Sequence, residues 1–486
     1  MAVSRRLLAL LLVLAVVGGP LAGSAVAAPA TPTGSFGAPR GATTDRLVED
    51  MDERTIRQNI DGMLASTVAV ASAIQPGAVN RTSMALRATY AVDASIDVDT
   101  GVVRVTATIS ARNDSGAGID RVELNTIAAR LGGGLVITTS KVDGVPVAVT
   151  VSDQTLKVPL GGILPAGATV ELEIGYRATL RTSFSKSNWM FTRGGGTIAM
   201  YRWIPWVSLA RPFDRQNIGD PFIVGSSPEV VVRLALSKPR IVAAPVGVPT
   251  AASKTWSFTV RDVRDVALVM APDFTVNVRY VDGVRIRAYS RPGGVTGGRL
   301  ADLAKLALGR MTTRLGVAYP WPQLVVAETA GGLGLESPGL IWVPGSTPSG
   351  NLSYLVHHEL AHQWFYGLVG NDQQREPFAD EAAADLLART VLGTLRPSRC
   401  ATDVLDKRIT GYSSACYYET IYIQGGNQLD AYRRWMGTSL FWATVRDYLE
   451  TYRHRIAGTR VLLEMLREAS PADLLPSFRK RFPNLY

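Results

Sequence analysis

The stretch Val356-His357-His358-Glu359-Leu360-Ala361-His362 holds three of the four histidines in this chain. Within it, residues 358–362 have the pattern H-E-x-x-H. Residues four apart on a helix lie on one face, so the imidazoles of His358 and His362 can bind the same metal ion. Glu359 lies about 100° around the helix from His358, where it can reach a water on the metal. The pattern therefore predicts a helix with two metal ligands and a general base.

A third ligand is expected downstream, because a catalytic zinc ion usually has three protein ligands and a water. After Pro377 the chain continues as an alanine-rich run that is typical of a second helix. Glu381 lies near its start, with eighteen residues between it and His362. That length allows a loop and a return alongside the first helix, so Glu381 is the predicted third ligand of one Zn²⁺ ion. Asp385, one turn later, is either a hydrogen-bond partner of a ligand imidazole or an exposed helix charge.

Three stretches in this part of the chain resemble the aminopeptidase N family of gluzincin metallopeptidases. The first is the stretch 358–384, with His-Gln-Trp at 362–364 and Val-Gly-Asn-Asp at 369–372. Upstream, Gly-Leu-Glu-Ser-Pro-Gly at 334–339 is similar to the family's G-x-M-E-N motif, and more closely to its bacterial variant G-M-E-x-P-G. Downstream, Tyr-Ile-Gln-Gly at 422–425 resembles the family's Y-x-K-G. The motifs occur in the order that the family has.

The resemblance implies a role for two further residues. Glu336 would hold the free amino terminus of a peptide substrate, and Tyr422 would donate a hydrogen bond to the tetrahedral intermediate. The motifs depart from the family pattern at Leu335, Ser337, Ala382 and Gln424. These departures leave the metal ligands, the base and the tyrosine in place. Glu336 as a solvated loop carboxylate and Tyr422 as a packing residue beside Tyr417 and Tyr418 are the alternatives.

One family feature has no counterpart that the sequence identifies. Family members carry a second amine-binding Glu or Gln in the amino-terminal domain, before a segment like F-P-C-x-D-E-P. This chain has Met-Tyr-Arg-Trp-Ile-Pro-Trp at 200–206. Peptide hydrolysis is therefore better supported than strict aminopeptidase specificity. A zinc endopeptidase and a non-catalytic exported zinc-binding protein remain as alternatives.

The expected fold class is α+β with several domains. The predicted order is a signal peptide (1–28), a linker and helical segment (29–82), a β-sheet domain (83–275) and a thermolysin-like mixed α/β catalytic domain (276–486). Alternation of apolar and polar residues over 103–109 and the turn Asp143-Gly144 indicate an antiparallel β-sandwich or saddle-like sheet in the first large domain.

The catalytic domain is expected to carry four helices, over 297–315, 353–369, 381–392 and 424–436. A further helical segment is expected over 45–74, where apolar residues recur at helical spacing. The chain ends at Tyr486. The resemblance therefore implies a short form that lacks the carboxy-terminal helical domain of longer family members, with a more open cleft.

The amino terminus predicts export. Arg5 and Arg6 precede an apolar core over 7–17, and Ala-Val-Ala at 25–27 fits a cleavage site of a signal peptide. The core is shorter than the roughly 20 residues of a membrane-spanning helix, so no stable membrane insertion is expected after cleavage. An uncleaved membrane anchor is the alternative. The protein is predicted to be secreted or to lie in the cell envelope.

The cysteine content and the net charge of the chain bear on its disulfides and on the molecules that it binds. Cys400 and Cys416 are the two cysteines of the chain, and in an exported protein they are expected to form one disulfide; two buried thiols are the alternative. The net charge of +10 arises from 51 basic and 41 acidic residues without a dense basic block, so nucleic-acid binding is not expected. Peptides are the expected partners, and the oligomeric state is left open.

Overall fold

Alternating apolar and polar residues fold the first part of the protein into strands. A computed structural model describes residues 72–185, 188–208, 223–394, 404–413 and 415–486. The predicted signal peptide and all but the last three residues of the segment predicted to be helical at 45–74 lie outside these residues. Every second side chain of β2 from Val103 onward is buried, as predicted for a strand with one face in the core. The strands of this part are β1 (Leu86–Ile96), β2 (Val102–Asn113), β3 (Ile119–Asn125), β4 (Val136–Val142), β5 (Val145–Pro146), β6 (Thr150–Ser152), β7 (Thr155–Leu164), β8 (Thr169–Thr179), β9 (Phe191–Gly194), β10 (Thr197–Met200), β11 (Trp206–Val207), β12 (Ser227–Ala243), β13 (Ser253–Val263) and β14 (Leu268–Ala271).

These strands form one large and one small sheet. The large sheet has the order β5-β4-β8-β2-β1-β12-β14-β10-β9, with β13 paired to β12, and the small sheet has the order β11-β3-β7-β6. Pairing is antiparallel except between β1 and β12, which run parallel, so the expected antiparallel sheet has one parallel step. Asp143 and Gly144 join β4 to β5 with positive φ at both residues, as predicted for a tight hairpin. One short helix, α1 (Ile127–Leu131), and a 3₁₀ turn (Asn188–Met190) lie between strands.

A smaller mixed sheet begins the second part of the protein. Its order is β15 (Thr275–Val281), β16 (Val284–Ser290), β17 (Gln323–Thr329), β19 (Leu340–Pro344) and β18 (Leu335–Ser337). The pairs β16–β17 and β17–β19 are parallel, and the two edge strands pair antiparallel. The edge strand β18 carries Glu336, which pairs with Ile341 of β19.

Helices then cover this sheet and complete the fold. They are α2 (Gly297–Leu315), α3 (Ser349–Ala361), α4 (Ala383–Leu392), α5 (Gly425–Met436), α6 (Thr438–Thr451), α7 (Thr459–Ala469) and α8 (Leu475–Arg481), with π-helical turns at Phe378–Ala382 and Glu419–Gln424 and a 3₁₀ turn at Ile409–Gly411. Within the described ranges, no helix has the length and apolar character needed to cross a membrane. The α+β class, with strands first and a mixed helical domain second, is confirmed.

The end of α3 differs from the prediction, which continued this helix to residue 369. The helix ends at Ala361 because the following residues form a tight closed loop. The Gly367 N–H donates to the His362 carbonyl at 2.8 Å, and the Tyr366 N–H donates to the Val369 carbonyl at 2.9 Å. Tyr366 has a positive φ of 123°, which no helical residue adopts.

A buried arginine joins the strand-rich part to this loop. Arg264, which follows β13, is 1 % exposed and donates to the carbonyl oxygens of Val224, Gly367 and Arg455 at 3.0–3.3 Å. The described residues from Ala73 to Tyr486 belong to one compact unit. The division predicted at 275–276 falls at the start of β15, and the domain bounds stay a prediction.

Candidate metal centre

Three donor atoms from the predicted ligand residues meet in a small triangle. The Nε2 atoms of His358 and His362 lie 3.1 Å apart. One carboxylate oxygen of Glu381, Oε2, lies 3.2 Å from the first and 3.3 Å from the second. Ligand atoms at 2.0–2.1 Å from a tetrahedral zinc ion lie about 3.3–3.4 Å from one another. The spacing of this two-nitrogen, one-oxygen set therefore fits a zinc ion with one position left for water.

The local fold explains why these atoms meet. His358 lies in the last turn of α3 and His362 directly follows that helix, so the two imidazoles are one turn apart. Glu381 lies in the π-helical turn that precedes α4, and α4 packs against α3. A π turn is wider than an α turn and is frequent at functional sites. All three residues predicted as ligands are thus brought together by the packing of two helices.

Hydrogen bonds fix the ring of His362. Its Nδ1 lies 2.6 Å from Oδ1 of Asp380 and 3.1 Å from the carbonyl oxygen of Phe365. Both neighbours accept, so Nδ1 carries the proton and Nε2 presents its lone pair to the metal position. Burial opposes the charged imidazolium, but the nearby carboxylates, Asp380 first among them, raise the pKa of His362 well above its usual value.

The prediction that Asp385 is the partner of a ligand imidazole is wrong. Asp385 is buried, but it accepts hydrogen bonds from the hydroxyl of Tyr354 at 2.5 Å and from Nε of Arg389 at 2.8–2.9 Å. The partner is instead Asp380, five residues earlier, because the π turn directs that residue toward His362. The alternative of an exposed helix charge is also wrong, since Asp385 is 1 % exposed.

Aromatic rings hold His358. The ring of Tyr354 stacks with the imidazole of His358 at a centroid distance of 5.6 Å and an interplanar angle of 29°. The ring of Tyr422 stacks with the same imidazole at 5.2 Å and 26°. Nδ1 of His358 is buried and has no hydrogen-bond partner among the described residues. The guanidinium group of Arg389 lies over the ring of Tyr354, 4.3 Å from its centroid, and forms an ion pair with Asp385. The ion pair therefore packs against Tyr354 and helps to fix its ring.

The predicted base Glu359 lies in a buried pocket of acidic groups. It is 5 % exposed, and its carboxylate occupies the space where a Cβ atom on residue 334 would stand. Burial, followed by the charge of Glu336, raises the pKa of Glu359 well above its usual value. A carboxylate with a raised pKa holds a transferred proton more readily, which suits a general base. Gly334 therefore has a steric reason to lack a side chain.

Glu336 lies beside the same pocket and is not a solvated loop residue. It is 7 % exposed on the edge strand β18, and its Oε1 accepts a hydrogen bond from Nε2 of Gln373 at 2.8 Å. Oxygen or nitrogen atoms of Glu336, His362 and Asp380 lie within 4.8 Å of one another. The structure thus brings the predicted amine-binding residue next to the metal position.

Tyr422 contacts the metal ligands rather than only packing residues. Besides stacking on His358, it interacts with Glu381, and burial followed by the Glu381 charge raises the pKa of Tyr422 well above its usual value. Tyr422 therefore stays protonated and can donate a hydrogen bond. Its competitors Tyr417 and Tyr418 pack against Tyr422 itself, at centroid distances of 5.8 and 4.8 Å.

Three site residues were not found from the sequence: Asp380, Gln373 and Tyr354. Tyr354 lies one helical turn before His358, and the i, i+4 spacing was a signal for contact between the two. Asp380 is an acid immediately before the predicted ligand Glu381, which was a second signal. Gln373 had no signal, because it lies in a loop and meets its partners only in the folded protein.

The structure describes His357 and the segment 200–206, but it describes one of the two cysteines and not the other. His357 lies outside the H-E-x-x-H pattern, and its Nδ1 lies 2.7 Å from the carbonyl oxygen of Ser353 on its own helix. Cys400 lies outside the described residues, so its pairing with Cys416 stays a prediction. In the segment 200–206, Trp203 is buried and donates to the Val266 carbonyl, and the segment contains no carboxylate or carboxamide side chain.

Known proteins that are similar to this chain include aminopeptidases and M1 zinc metallopeptidases. No family model matches the chain. Among curated proteins, the chain is 24 % identical to aminopeptidase 2, mitochondrial, of Saccharomyces cerevisiae over 238 residues, which is 40 % of this chain and 25 % of the relative. It is 22 % identical to aminopeptidase M1-B of Oryza sativa subsp. japonica over 247 residues, 42 % of this chain and 28 % of the relative. The matched part thus spans about a quarter of the length of these relatives.

Solved structures match over much more of the chain. An M1 zinc metallopeptidase from Deinococcus radiodurans superposes with a TM-score of 0.59 at 20 % identity, covering 82 % of this chain and 93 % of that one. A mutant of an M1 zinc metallopeptidase from the same organism, bound to a Tyr-Ser-Ala substrate, superposes with a TM-score of 0.60 at 20 % identity, covering 84 % and 96 %. At this identity the likeness establishes the fold. Sequence relatives and fold together confirm that the chain resembles the aminopeptidase N family of gluzincin metallopeptidases, also named M1.

Proposed function

We propose that this protein is a zinc-dependent metallopeptidase that releases amino-terminal residues from peptides. The observation that carries the proposal is the triangle of His358 Nε2, His362 Nε2 and Glu381 Oε2, with sides of 3.1–3.3 Å, beside the buried carboxylates of Glu359 and Glu336. The triangle suits a zinc ion, and the two carboxylates suit proton transfer and ammonium binding. The names of the curated relatives, all aminopeptidases, support the same activity.

The side chains of the site have separate roles in the proposed hydrolysis. A zinc ion bound to His358, His362 and Glu381 would supply a Lewis acid that makes water a better nucleophile and polarises the scissile carbonyl. Glu359 takes the proton of the attacking water and delivers it to the nitrogen of the leaving amine. Its burial keeps the proton on the carboxyl group between these two steps, since water cannot carry it away.

Two further groups orient the substrate. Tyr422 donates a hydrogen bond from its hydroxyl group to the carbonyl oxygen as negative charge develops there, an interaction worth roughly 2.7–4 kcal/mol for a well-placed donor. Glu336 accepts hydrogen bonds from the substrate's ammonium group, so that the first peptide bond lies at the metal. The structural neighbour bound to a Tyr-Ser-Ala substrate supports short peptides as the substrate class.

The proposal is tested with paired fluorogenic peptides, one with a free amino terminus and one acetylated. Each is assayed with zinc, with a chelator, and with the Glu359→Gln variant; Glu468→Gln removes an exposed carboxylate of α7 as the matched control. We expect chelator-sensitive cleavage of the free peptide, loss of that cleavage in Glu359→Gln with zinc still bound, and wild-type rates in the control. Unchanged cleavage by Glu359→Gln would overturn the assignment of the base.

The same experiment separates the two alternative functions. Equal cleavage of both peptides would make the protein a zinc endopeptidase. An absence of cleavage over a broad peptide panel, with zinc still bound, would favour a zinc-containing binding protein. The observation against that second alternative is Glu359 itself, because a site that only binds zinc has no use for a buried carboxylate beside the ligands.

We further propose that the protein is exported through its amino-terminal segment. The support is in the sequence, where Arg5 and Arg6 precede the apolar run 7–17 and the Ala-Val-Ala at 25–27. Amino-terminal sequencing of protein collected outside the cell is expected to begin close to Ala28. A chain that keeps residues 1–28 and sediments with membranes would instead support an uncleaved anchor.

A further inference from the structure

A buried glutamine connects the metal centre to the proposed amine-binding residue. Gln373 is 6 % exposed and lies in the loop between α3 and α4. Its Nε2 donates one hydrogen bond to Oε1 of Glu336 at 2.8 Å and another to Oδ2 of Asp380. An amide nitrogen has two protons, so both are used. The reverse orientation would direct the amide oxygen at two carboxylates, so the orientation of this amide is well defined.

These bonds form part of a continuous run of side chains. Asp380 uses Oδ2 to accept from Gln373 and Oδ1 to accept from Nδ1 of His362. The hydrogen bonds therefore connect four side chains in the order His362, Asp380, Gln373 and Glu336. Gln373, a loop residue, thus fixes the distance between Glu336 and the predicted ligand His362. Each member is less than 10 % exposed, so water competes weakly for these bonds.

A neutral amide beside Glu336 leaves that carboxylate able to bind a cation. A carboxylate oxygen of Glu336 lies within 4.8 Å of one of Asp380, and both residues are buried, so a donor placed between them offsets the repulsion of the two carboxylates. A lysine or arginine at 373 would neutralise Glu336 and repel a substrate ammonium group. The neutral amide instead occupies Oε1 without adding a positive charge beside Glu336. Oε2 then remains as an acceptor for the ammonium group.

We propose that Gln373 is the positioning residue that makes this site select peptides with a free amino terminus, by holding Glu336 at a fixed place beside the metal ligands. This inference rests on the proposed peptidase function. It also bears on the second amine-binding residue of the family, for which the sequence identified no counterpart. A single carboxylate can select an ammonium group when its own position is fixed.

The test replaces Gln373 with methionine, which has a similar length but no hydrogen-bond donor. Gln374→Met is the matched control, because Gln374 is the next residue and is equally buried at 6 %. For the free peptide, we expect kcat/KM of Gln373→Met to fall about tenfold, mostly through KM, the scale of one lost hydrogen bond to a charged group. Any cleavage of the acetylated peptide and the affinity for zinc, measured by competition with a chelator, should change less than twofold.

A second measurement does not depend on turnover. In the Glu359→Gln background, calorimetry compares the binding of the free and the acetylated peptide, with and without Gln373→Met. We expect about a tenfold loss of affinity for the free peptide only. With Glu336→Ala also present, Gln373→Met should cause no further loss, because its effect passes through Glu336.

The outcomes separate this inference from the proposed function. A wild-type protein that cleaves no peptide, or cleaves both peptides equally, contradicts the aminopeptidase function itself. If the wild type prefers the free peptide but Gln373→Met keeps that preference, the role of Gln373 is refuted. A parallel loss for both peptides with weaker zinc binding, or a further loss in the Glu336→Ala background, would also refute it, since Gln373 would then act on the metal site through Asp380.

Discussion

The two histidines predicted to bind zinc lie one helical turn apart, yet the protein holds them in different ways. His362 is fixed by hydrogen bonds from Nδ1 to Asp380 and to the Phe365 carbonyl oxygen. His358 has a buried Nδ1 without such a partner among the described residues, and it stacks with the rings of Tyr354 and Tyr422. A hydrogen bond fixes both the tautomer and the direction of the lone pair, whereas stacking fixes only the plane of the ring.

The difference has a structural origin in the surroundings of each ring. His362 faces the π turn that carries Asp380 and Glu381, where polar groups converge. His358 faces a cluster of tyrosines that includes Tyr422, the proposed hydrogen-bond donor to the substrate. The hydrogen-bonded side of the site thus orients one predicted ligand, and the stacked side places the other predicted ligand, His358, against Tyr422, the proposed catalytic tyrosine. The two sides are therefore expected to respond differently to mutation.

The largest effect is expected from removal of either imidazole. His358→Ala and His362→Ala each leave two protein ligands, so bound zinc should fall from about one ion per chain to close to none. Zinc content after gel filtration, measured by atomic emission, checks this. His357→Ala, which removes the neighbouring imidazole outside the triangle, should keep its zinc. Retention of stoichiometric zinc by His358→Ala would mean that the triangle is not the metal site.

Asp380→Ala is expected to have the next largest effect. Loss of the carboxylate that orients His362 should weaken zinc binding by about 10- to 100-fold, the usual range for a hydrogen-bond partner of a ligand imidazole. Competition with a chromophoric chelator measures the affinity. Asp447→Ala, at an exposed position of α6, serves as the control. Zinc affinity equal to the wild type would show that hydrogen bonding at His362 matters no more than stacking at His358.

Tyr354→Leu breaks the stacked side and is expected to have a smaller effect. Loss of one aromatic contact of about 0.5–1.5 kcal/mol should weaken zinc binding about two- to tenfold. The absorption bands of the Co²⁺-substituted protein should also shift, because the ring of His358 gains freedom to rotate. A loss as large as that of Asp380→Ala would remove the distinction between the two histidines.

Tyr354→Phe should have the smallest effect on the metal. The ring remains stacked on His358, so zinc affinity should stay within about twofold of the wild type. Asp385 loses the hydroxyl donor at 2.5 Å but keeps Arg389, so the free energy of unfolding should fall by about 1 kcal/mol. Urea denaturation of the zinc-loaded protein measures this change. A marked fall in zinc affinity would show that the hydroxyl group, and not the stacked ring, holds His358.

The sequence predicted helix bounds well where local signals decide them. The prediction for α2, residues 297–315, agrees with the structure at both ends, since Gly316 adopts a left-handed φ of 65° and ends the helix. The prediction for α3 continued eight residues too far, to 369 instead of Ala361. There the chain is turned by hydrogen bonds of the loop and by contacts of Gly367 with Arg264, which is more than 100 residues away.

The ligand triangle follows from spacing that the sequence itself contains. Four residues along a helix always return to the same face, so the meeting of His358 and His362 required only that the segment be helical. Glu381, Glu336 and Tyr422 were identified by motifs in a fixed order. The tertiary structure decided which carboxylate orients His362, Asp380 or Asp385. It also decided that Gln373 joins Asp380 to Glu336, because a π turn and a loop orient these side chains and no periodicity encodes their direction.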